Sequence, residues 1–308
     1  MRIAIAGGSG LIGRRLAAAL LADGHMVSIL SRRVDRARRR LPPGVEVVRW
    51  DPGGDRGAVA GVLRGTDAVV NLAGESIGGR PWTPRHKRAI LASRLRATGA
   101  IVEGIERLPA GERPAVLVNA SGIDVYGDRR DFELTEDGPT SDTFLARVSL
   151  AWEAAALHAE RLGLRVVLCR TALVIAADAP AFRLLALPYR LFLGGRLGRG
   201  DQPFTWIHVD DVVGLYSLAL GDPSITGPLN LVAPETLLQR EVARAIGRVL
   251  GRPAAVPAPA ALLRLALWGQ ADLLLHGRRA VPAKAIAAGY VFRYPTIEAA
   301  LREALGGS

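Results

Sequence analysis

Cysteine is almost missing from this sequence, which has one, Cys169, among 308 residues. A single thiol excludes an internal disulfide framework. Because Cys169 lies in an apolar run that begins at Arg165, we expect a buried strand residue and not a nucleophile. A lone, buried thiol suits a reducing compartment, so we predict a cytoplasmic protein.

Lysine is also scarce, since Lys87 and Lys284 are the only two. Lys and Arg together number 40 against 29 Asp and Glu, so the net charge of +11 comes almost entirely from arginine. The densest cluster spans 36–40 and could hold a phosphate backbone. No aromatic residues interleave with it, and no nucleic-acid motif accompanies it. We therefore expect a solvated helix face and no nucleic-acid partner.

Long apolar runs are missing as well. The first apolar run is short and has no basic leader, so we predict no signal peptide. The later segment 260–277 is apolar on most sides, but Arg264, Asp272 and its limited length argue against a membrane span. We expect a helix there that packs against the main body or against a partner subunit in a homodimer, with a membrane surface as the weaker alternative.

Glycine is abundant where the chain begins. Ile3 and Ile5 mark a short strand, a helix runs through Leu16 and Leu20, and a second strand covers 27–30. The GGSGLIG between strand and helix suits a turn without Cβ atoms that lets the backbone approach a ligand. The helix start offers unpaired N–H groups and a positive dipole end to a diphosphate. In preference to a simple tight turn, we predict a dinucleotide cradle of Gly7, Ser9, Gly10, Leu11, Ile12 and Gly13.

The end of the second strand indicates which dinucleotide binds. A site for NAD places Asp or Glu there to accept hydrogen bonds from the ribose 2′-OH. This chain has Ser31, Arg32 and Arg33 instead. Guanidinium groups suit the 2′-phosphate of NADP, so we predict NADP, with Arg14 as a further contact. The alternative is that these arginines are merely solvated.

Strand and helix signals alternate through the first two-thirds of the chain. We predict strands at 45–49, 68–72, 115–120 and 165–170 and helices at 84–108 and 144–162. This alternation predicts an α/β fold, a doubly wound parallel sheet of Rossmann type with its binding crevice at the carboxyl ends of the strands. We assign residues 1–178 to a dinucleotide-binding domain and 179–308 to a mixed segment that returns partly to the core.

Further motifs follow in a fixed order. They are DAVVNLAGESI, Trp82-Thr83 with Lys87, Ser93-Arg94, VYGD, LTED, WEAAA, IHVDD and a tail, PxKxxxAGYxFRYPTIEAAL, that begins at Pro282. With GGSGLIG, they resemble the extended short-chain dehydrogenase/reductase superfamily over nearly the whole chain. The narrower resemblance is to an atypical branch of epimerase-family oxidoreductases with a small C-terminal domain of unknown function. It implies an NADP-binding sheet and a C-terminal α/β lid that closes over substrate and excludes water.

The same resemblance implies roles for residues at the strand ends. Leu72, Ala73 and Gly74 would line the path of the adenosine and the diphosphate. Asp51 would lie near the adenine. Arg170 and Ala172 would pass close to the nicotinamide.

The resemblance also exposes a missing catalytic pair. The superfamily mechanism uses Tyr-x-x-x-Lys on the helix after the fifth strand, where the tyrosine exchanges a proton with the substrate oxygen. Aligned on Glu153, those positions hold Leu145 and Ser149, and the usual Ser/Thr position falls on Gly122. As substitutes we predict Tyr126 as the acid and Ser121 as a hydrogen-bond donor; the alternative is that Tyr126 only packs and orders its loop.

His208, Asp210 and Asp211 look superficially like metal ligands. Suitably spaced histidines and cysteines are missing, so we predict no metal site and expect Asp210 or Asp211 to cap a helix start.

Two functions fit these observations. The first is an NADP-dependent oxidoreductase or epimerase-like enzyme acting on an unidentified small molecule, with sugar nucleotides as one candidate class. The second is a non-catalytic NADP-binding sensor or scaffold, which the missing Tyr–Lys pair favours.

Overall fold

The computed structural model describes residues 1–54 and 56–306. The strands of the described chain are β1 (Arg2–Ala6), β2 (Met26–Ser31), β3 (Glu46–Arg49), β4 (Ala68–Asn71), β5 (Val116–Gly122), β6 (Arg129–Leu134), β7 (Arg165–Thr171), β8 (Leu173–Ile175), β9 (Pro203–Phe204), β10 (Trp206–His208), β11 (Gly227–Leu231), β12 (Leu237–Leu238) and β13 (Arg278–Ala280). Its helices are α1 (Leu11–Ala22), α2 (Val34–Arg38), α3 (Arg56–Leu63), α4 (Pro84–Glu106), α5 (Phe144–Leu157), α6 (Pro180–Arg190), α7 (Val209–Gly221), α8 (Gln239–Leu250), α9 (Ala260–Leu267), α10 (Asp272–Leu275), α11 (Ala283–Ala287) and α12 (Ile297–Gly306).

Within the described residues, seven strands form one parallel sheet in the order β11-β7-β5-β4-β1-β2-β3. The chain crosses from β3 to β4 at the far side of β1, which opens a crevice at the carboxyl ends of the strands. The predicted α/β fold with a parallel sheet of Rossmann type is confirmed.

Helices cover both faces of this sheet. Ile3 and Ile5 of β1 pack in one buried cluster with α1 and α7, whereas Ala4 and Ala6 pack in another with α3, α4 and α5. Successive side chains of a strand point to opposite faces, so an apolar run such as that of β1 is buried on both. Cys169 is fully buried in β7, as expected for a strand residue.

The second half of the chain rejoins the sheet and also builds a core of its own. β11 pairs with β7 along the edge of the main sheet. Phe182 of α6, Val242 and Ile246 of α8, and Leu301 of α12 belong to a third buried cluster. In the C-terminal part, β13 pairs in parallel with β6, which follows β5 in the chain. The C-terminal part is therefore packed directly against the carboxyl end of the sheet.

The expectation of a single helix over residues 260–277 is wrong. The segment from Ala260 is not one helix but α9, a 3-10 turn over Trp268–Ala271 and α10. In α9 none of the residues is buried, and Leu262 and Leu265 are exposed. The packing of α9 in a homodimer stays a prediction. Among the described residues, no helix combines the length and the apolarity that a membrane crossing needs.

The prediction that Asp210 or Asp211 caps the helix after the HVDD motif is also wrong. The residue that caps α7 is His208, whose Nδ1 accepts a hydrogen bond from the Asp210 N–H at 3.3 Å. Asp211 is fully buried and accepts from the backbone N–H groups of Arg293 (2.8 Å) and Tyr294 (3.0 Å). The cap prediction failed because the partners of Asp211 are about 80 residues away in sequence and not in its own helix turn.

We expect Asp211→Asn to lower the free energy of unfolding by about 1–3 kcal/mol, because the new NH₂ group faces a backbone donor where a carboxylate oxygen accepted. Urea unfolding measures the change. Asp210→Asn is the matched control: its side chain is partly exposed, and we expect a change within about 0.5 kcal/mol. Equal midpoints for the two variants would contradict the role given to Asp211.

Candidate functional site

The glycine turn after β1 is shaped by contacts that exclude larger side chains. Gly7 has φ +74°, and a Cβ there would lie 2.8 Å from the backbone of Leu72. A Cβ on Gly13 would lie 2.5 Å from the Cα of Gly8. The turn therefore packs backbone against backbone, and it delivers the chain directly into α1.

The start of α1 has unusually free backbone donors. Its N-cap, Gly10, makes no side-chain hydrogen bond to the helix, and the first turn contains no acidic residue. The N–H groups of the first turn of a helix have no partner within the helix, and the dipole favours an anion there. The Gly10 N–H donates to Gly7 O (3.1 Å) and closes the turn, whereas no acceptor among the described residues meets the N–H groups of Leu11, Ile12 and Gly13. These three donors form a site that suits a phosphate group, with Ser9 beside them.

The end of β4 lies against this turn and is fixed by buried polar groups. Asn71 accepts from the Ala73 N–H (3.2 Å) and donates to Asn119 Oδ1 (2.7 Å) and Thr98 Oγ1 (2.8 Å). Through the contact of Gly7 with Leu72, the structure brings together the glycine turn and the predicted stretch Leu72–Gly74.

Arg94 of α4 packs against the Leu72–Gly74 stretch. Its guanidinium donates to Glu75 O (3.0 Å) and lies 4.9 Å from the ring of Trp152. A Cβ on Gly74 would lie 3.2 Å from the Arg94 guanidinium carbon. Burial lowers the pKa of Arg94 to about 10. Arg94 therefore packs beneath the Leu72–Gly74 stretch and holds it in place.

At the end of β2, Arg32 and Arg33 are exposed, and neither guanidinium has a hydrogen bond or ion pair to any described residue. Ser31 Oγ accepts from the Arg33 N–H at 3.2 Å. Asp51 lies next to this end, because the Trp50 N–H donates to Ser31 O (3.0 Å). A depression of about 440 Å³ between Pro52–Gly53 and α4 adjoins Asp51.

Arg14 does not join this pair of arginines. Its guanidinium forms an ion pair with Asp178, which also holds Arg15 at 2.7 Å. Arg14 thus links α1 to the loop before α6, and its contact with a 2′-phosphate stays a prediction.

Five side chains form a buried polar group behind the end of β5, the Arg170 cluster (Ser121, Tyr126, Glu153, Arg170 and Asn230). The Arg170 guanidinium donates to both Glu153 oxygens at 2.9 Å, and its third nitrogen donates to the Tyr126 hydroxyl at 2.9 Å. Ser121 donates to Glu153 Oε1 at 2.7 Å, and the Tyr126 hydroxyl lies 2.9 Å from Asn230 Oδ1.

Within the Arg170 cluster, burial and charge pairing keep Arg170 charged and Tyr126 protonated. Burial disfavours a charged Arg170, but the hydrogen bonds and charge of Glu153 outweigh it and raise the pKa of Arg170. Burial also raises the pKa of Tyr126, against the opposing charge of Arg170, which keeps the phenol protonated. Tyr126 is fully buried, so the action of Tyr126 and Ser121 on a substrate stays a prediction.

Two of the residues assigned by resemblance to the nicotinamide end lie at the end of β7. The Arg170 side chain points into its cluster and not toward the crevice. Ala172 is buried, and its N–H donates to Leu231 O at 3.1 Å.

The C-terminal part closes over the crevice at two points. Arg278 of β13 forms an ion pair with Asp124, in the 3-10 turn after β5. Gln270 donates to the carbonyl oxygens of Ile77 (3.0 Å) and Arg80 (2.7 Å) in the loop after β4. The crevice thus lies between the sheet and the C-terminal part.

Sequence reasoning missed Asp124, Glu136, Asn71 and the Arg170–Glu153 pair. One signal was available, since an arginine in the apolar strand VVLCRT requires a buried partner. The partner itself could not be identified from the sequence, because Glu153 lies in α5 and Arg170 in β7, and only the packing of the two elements brings them together. In the residues that the structure covers, no group of three or more His, Cys, Asp or Glu could hold a metal ion.

Two protein families match different parts of this chain. Residues 3–230 match the NAD dependent epimerase/dehydratase family, and residues 258–304 match a domain of unknown function, DUF1731. The epimerase family protein YfhF of Bacillus subtilis is 37% identical over 304 residues, which are 98% of this chain and 97% of that protein.

Two crystal structures are also similar. Human epimerase family protein SDR39U1 (isoform 2) with NADPH superposes with a TM-score of 0.87 at 35% identity, covering 100% of both chains. The nucleoside-diphosphate sugar epimerase of Corynebacterium glutamicum gives a TM-score of 0.79 at 32% identity, covering 100% of this chain and 59% of that one. The chain belongs to the NAD dependent epimerase/dehydratase family and carries the C-terminal domain of unknown function.

Proposed function

We propose that this protein binds NADP(H) and uses it for hydride transfer to or from a small carbonyl or alcohol substrate. One observation carries the proposal: an uncapped helix start behind a close-packed glycine turn lies on the same sheet edge as two arginines without partners. Among the described residues, no acceptor meets the first-turn N–H groups of α1 or the guanidinium groups of Arg32 and Arg33.

The residues present fit a dinucleotide. The first turn of α1, from Leu11 to Gly13, would hold the diphosphate through backbone N–H groups, and Gly10 would let the diphosphate approach them. The Leu72–Gly74 stretch would line the adenosine side. Asp51 and the depression beside it would hold the adenine, at the β3 edge of the sheet.

The charge at the end of β2 favours the phosphorylated form of the cofactor. A carboxylate there would bind a ribose hydroxyl, whereas Arg32 and Arg33 offer guanidinium donors for a 2′-phosphate. The related human protein was crystallised with NADPH, which supports the same preference.

Bound NADP supplies hydride exchange at its nicotinamide C4, and the protein supplies orientation and exclusion of water. The crevice is covered by Gln270 and Arg278 of the C-terminal part, as a lid over a small substrate would require. Sugar nucleotides are the substrate class we favour, since a similar protein from C. glutamicum is named a nucleoside-diphosphate sugar epimerase. A reducing compartment such as the cytoplasm suits the single buried thiol.

A second candidate is a non-catalytic NADP-binding sensor or scaffold. Leu145 and Ser149 occupy the positions of the usual Tyr and Lys, both are largely buried, and Tyr126 is closed inside the Arg170 cluster. NADPH oxidation screened against aldehydes, ketones and sugar nucleotides separates the two candidates. Tight NADPH binding without turnover on any of them would favour the sensor.

We expect Gly13→Ala to abolish measurable NADPH binding in calorimetry and to cost about 1–3 kcal/mol of stability, because the added methyl group would collide with the backbone of Gly8. Gly61→Ala in α3 is the matched control, since nothing lies within 4 Å of a Cβ there. We expect that variant to bind NADPH normally and to be as stable as the parent or up to about 1 kcal/mol more stable. Normal NADPH binding by Gly13→Ala would contradict the cradle.

We expect Arg32→Ala combined with Arg33→Ala to weaken NADPH binding by about tenfold or more, because each charge-assisted hydrogen bond to a phosphate is worth roughly 1.5–3 kcal/mol. Binding of NADH should be unchanged in the same fluorescence titration. Arg107→Ala combined with Arg161→Ala removes two exposed arginines far from the end of β2 and controls for the change in net charge. An equal loss for NADH and NADPH would overturn the assignment.

Tyr126→Phe separates the two roles open for this side chain. If its hydroxyl acts on substrate, turnover should fall by about 100-fold or more with the melting temperature little changed. If it only holds the Arg170 cluster together, the melting temperature should fall by the equivalent of about 1–3 kcal/mol while NADPH binding persists. Unchanged turnover would remove Tyr126 from the chemistry.

A further inference from the structure

Ser149 Oγ and Asp124 Oδ2 both lie close to Gly122, the position at which the superfamily has its catalytic serine or threonine. A Cβ on Gly122 would lie 3.5 Å from Ser149 Oγ and 3.7 Å from Asp124 Oδ2. Gly122 is the usual Ser/Thr position and Ser149 is the usual Lys position. Asp124 therefore places a carboxylate oxygen 3.7 Å from the point from which the missing hydroxyl would have projected.

Asp124 is held in a way that leaves this oxygen available. Its Oδ1 pairs with the Arg278 guanidinium, and Oδ2 has no hydrogen-bond partner within residues 1–54 and 56–306. The Asp124 side chain is 21% exposed, against 9% for Arg278. One oxygen is thus anchored by Arg278, and the other lies near Gly122 without a hydrogen-bond partner among the described residues.

The position of Asp124 in the sheet matches the nicotinamide half of the crevice. Arg32 and Asp51 mark the adenosine half, at the ends of β2 and β3. A dinucleotide laid across the carboxyl ends of the strands extends from there toward β4, β5 and β7. Asp124 follows β5, which pairs with β4 on one side and β7 on the other.

Neighbouring groups are less suited to the same task. Tyr126 is fully buried, and Ser121 donates to Glu153. Glu153 has both oxygens on Arg170. Asp128 Oδ1 accepts from Arg130 Nε and from the Gly277 N–H, and its Oδ2 accepts from Arg130 Nη2.

We propose that Asp124 exchanges the proton with the substrate oxygen, with Arg278 holding it in place; this rests on the hydride transfer proposed above. In oxidation of an alcohol, the C–H bond breaks with its electron pair going to NADP⁺, the O–H proton goes to Asp124 Oδ2, and the C=O bond forms. In reduction, NADPH supplies the hydride and the Asp124 carboxyl group supplies the proton to the carbonyl oxygen. Atoms and charges balance in both directions.

The test compares Asp124→Asn, Arg278→Met and the wild type in the reduction of NADP⁺, where Asp124 accepts the proton, with 4-nitrobenzyl alcohol and UDP-glucose as probes. Asp124→Asn should lower kcat by about 100-fold or more, with the dissociation constant of NADPH unchanged, and added formate should restore part of the rate. Arg278→Met keeps the carboxylate and should lose less. Asp23→Asn, at the end of α1, is the matched control and should behave as wild type.

A merely structural ion pair gives a different pattern. Asp124→Asn and Arg278→Met would then lose rate equally, with equal falls in melting temperature and no rescue by formate; that result overturns the proposal. Wild-type turnover with unchanged turnover in Asp124→Asn overturns it as well, while leaving the proposed function intact. Tight NADPH binding without wild-type turnover of either probe overturns both.

A crystal structure of the wild-type protein with NADP⁺ and 4-nitrobenzyl alcohol gives a readout that does not depend on rate. Asp124 Oδ2 should lie within hydrogen-bond distance of the alcohol oxygen, about 2.6–3.2 Å. An alcohol bound with its oxygen against another side chain, and with Asp124 out of reach, would refute the assignment.

Discussion

The buried pair between Arg170 and Glu153 is the interaction on which the interior of the site depends. Two parallel hydrogen bonds of 2.9 Å join the end of β7 to α5, and both side chains are 6% exposed. A buried charge deprived of its partner destabilises a fold by about 3–5 kcal/mol, so each of the two residues requires the other. The remaining guanidinium donors hold the Tyr126 hydroxyl and Glu136 O. The loop after β5 and the residues before α5 therefore take their positions from one side chain.

Carboxylates on the sheet side also determine how the C-terminal part is attached. Asp128 accepts from the Gly277 N–H, Glu136 from the Lys284 N–H, and Asp211 from the Arg293 and Tyr294 N–H groups. Asp124 adds an ion pair to Arg278. The chain carries an excess of arginine, yet most of these contacts use backbone donors, which fix the path of the segment more tightly than long side chains would. The covering of the crevice is thus a fixed part of the fold in this conformation.

Features that depend on nearby residues were predictable from sequence, and features that depend on distant ones were not. The glycine turn, the strand that precedes it and the helix that follows form a contiguous motif, so GGSGLIG was sufficient to predict the cradle. The alternation of apolar segments likewise predicted the sheet. His208 took the helix cap expected of Asp210 or Asp211 because Asp211 bonds residues near position 290. Tyr126 looked available from its place after β5, and only the packing of Arg170 and Asn230 shows that it is enclosed.

The attachment of the C-terminal part has a consequence for the order of events during synthesis. While the ribosome is still adding residues beyond 231, β11 can complete the sheet and the Asn230 N–H can reach Glu136, but the backbone donors of Asp211 have not yet been made. The Asp211 carboxylate must stay hydrated until the segment that carries Arg293 and Tyr294 emerges. The nascent chain therefore passes through a stage in which the glycine turn and the start of α1 can form before the C-terminal part covers the crevice. A cofactor could enter at that stage without displacing the cover.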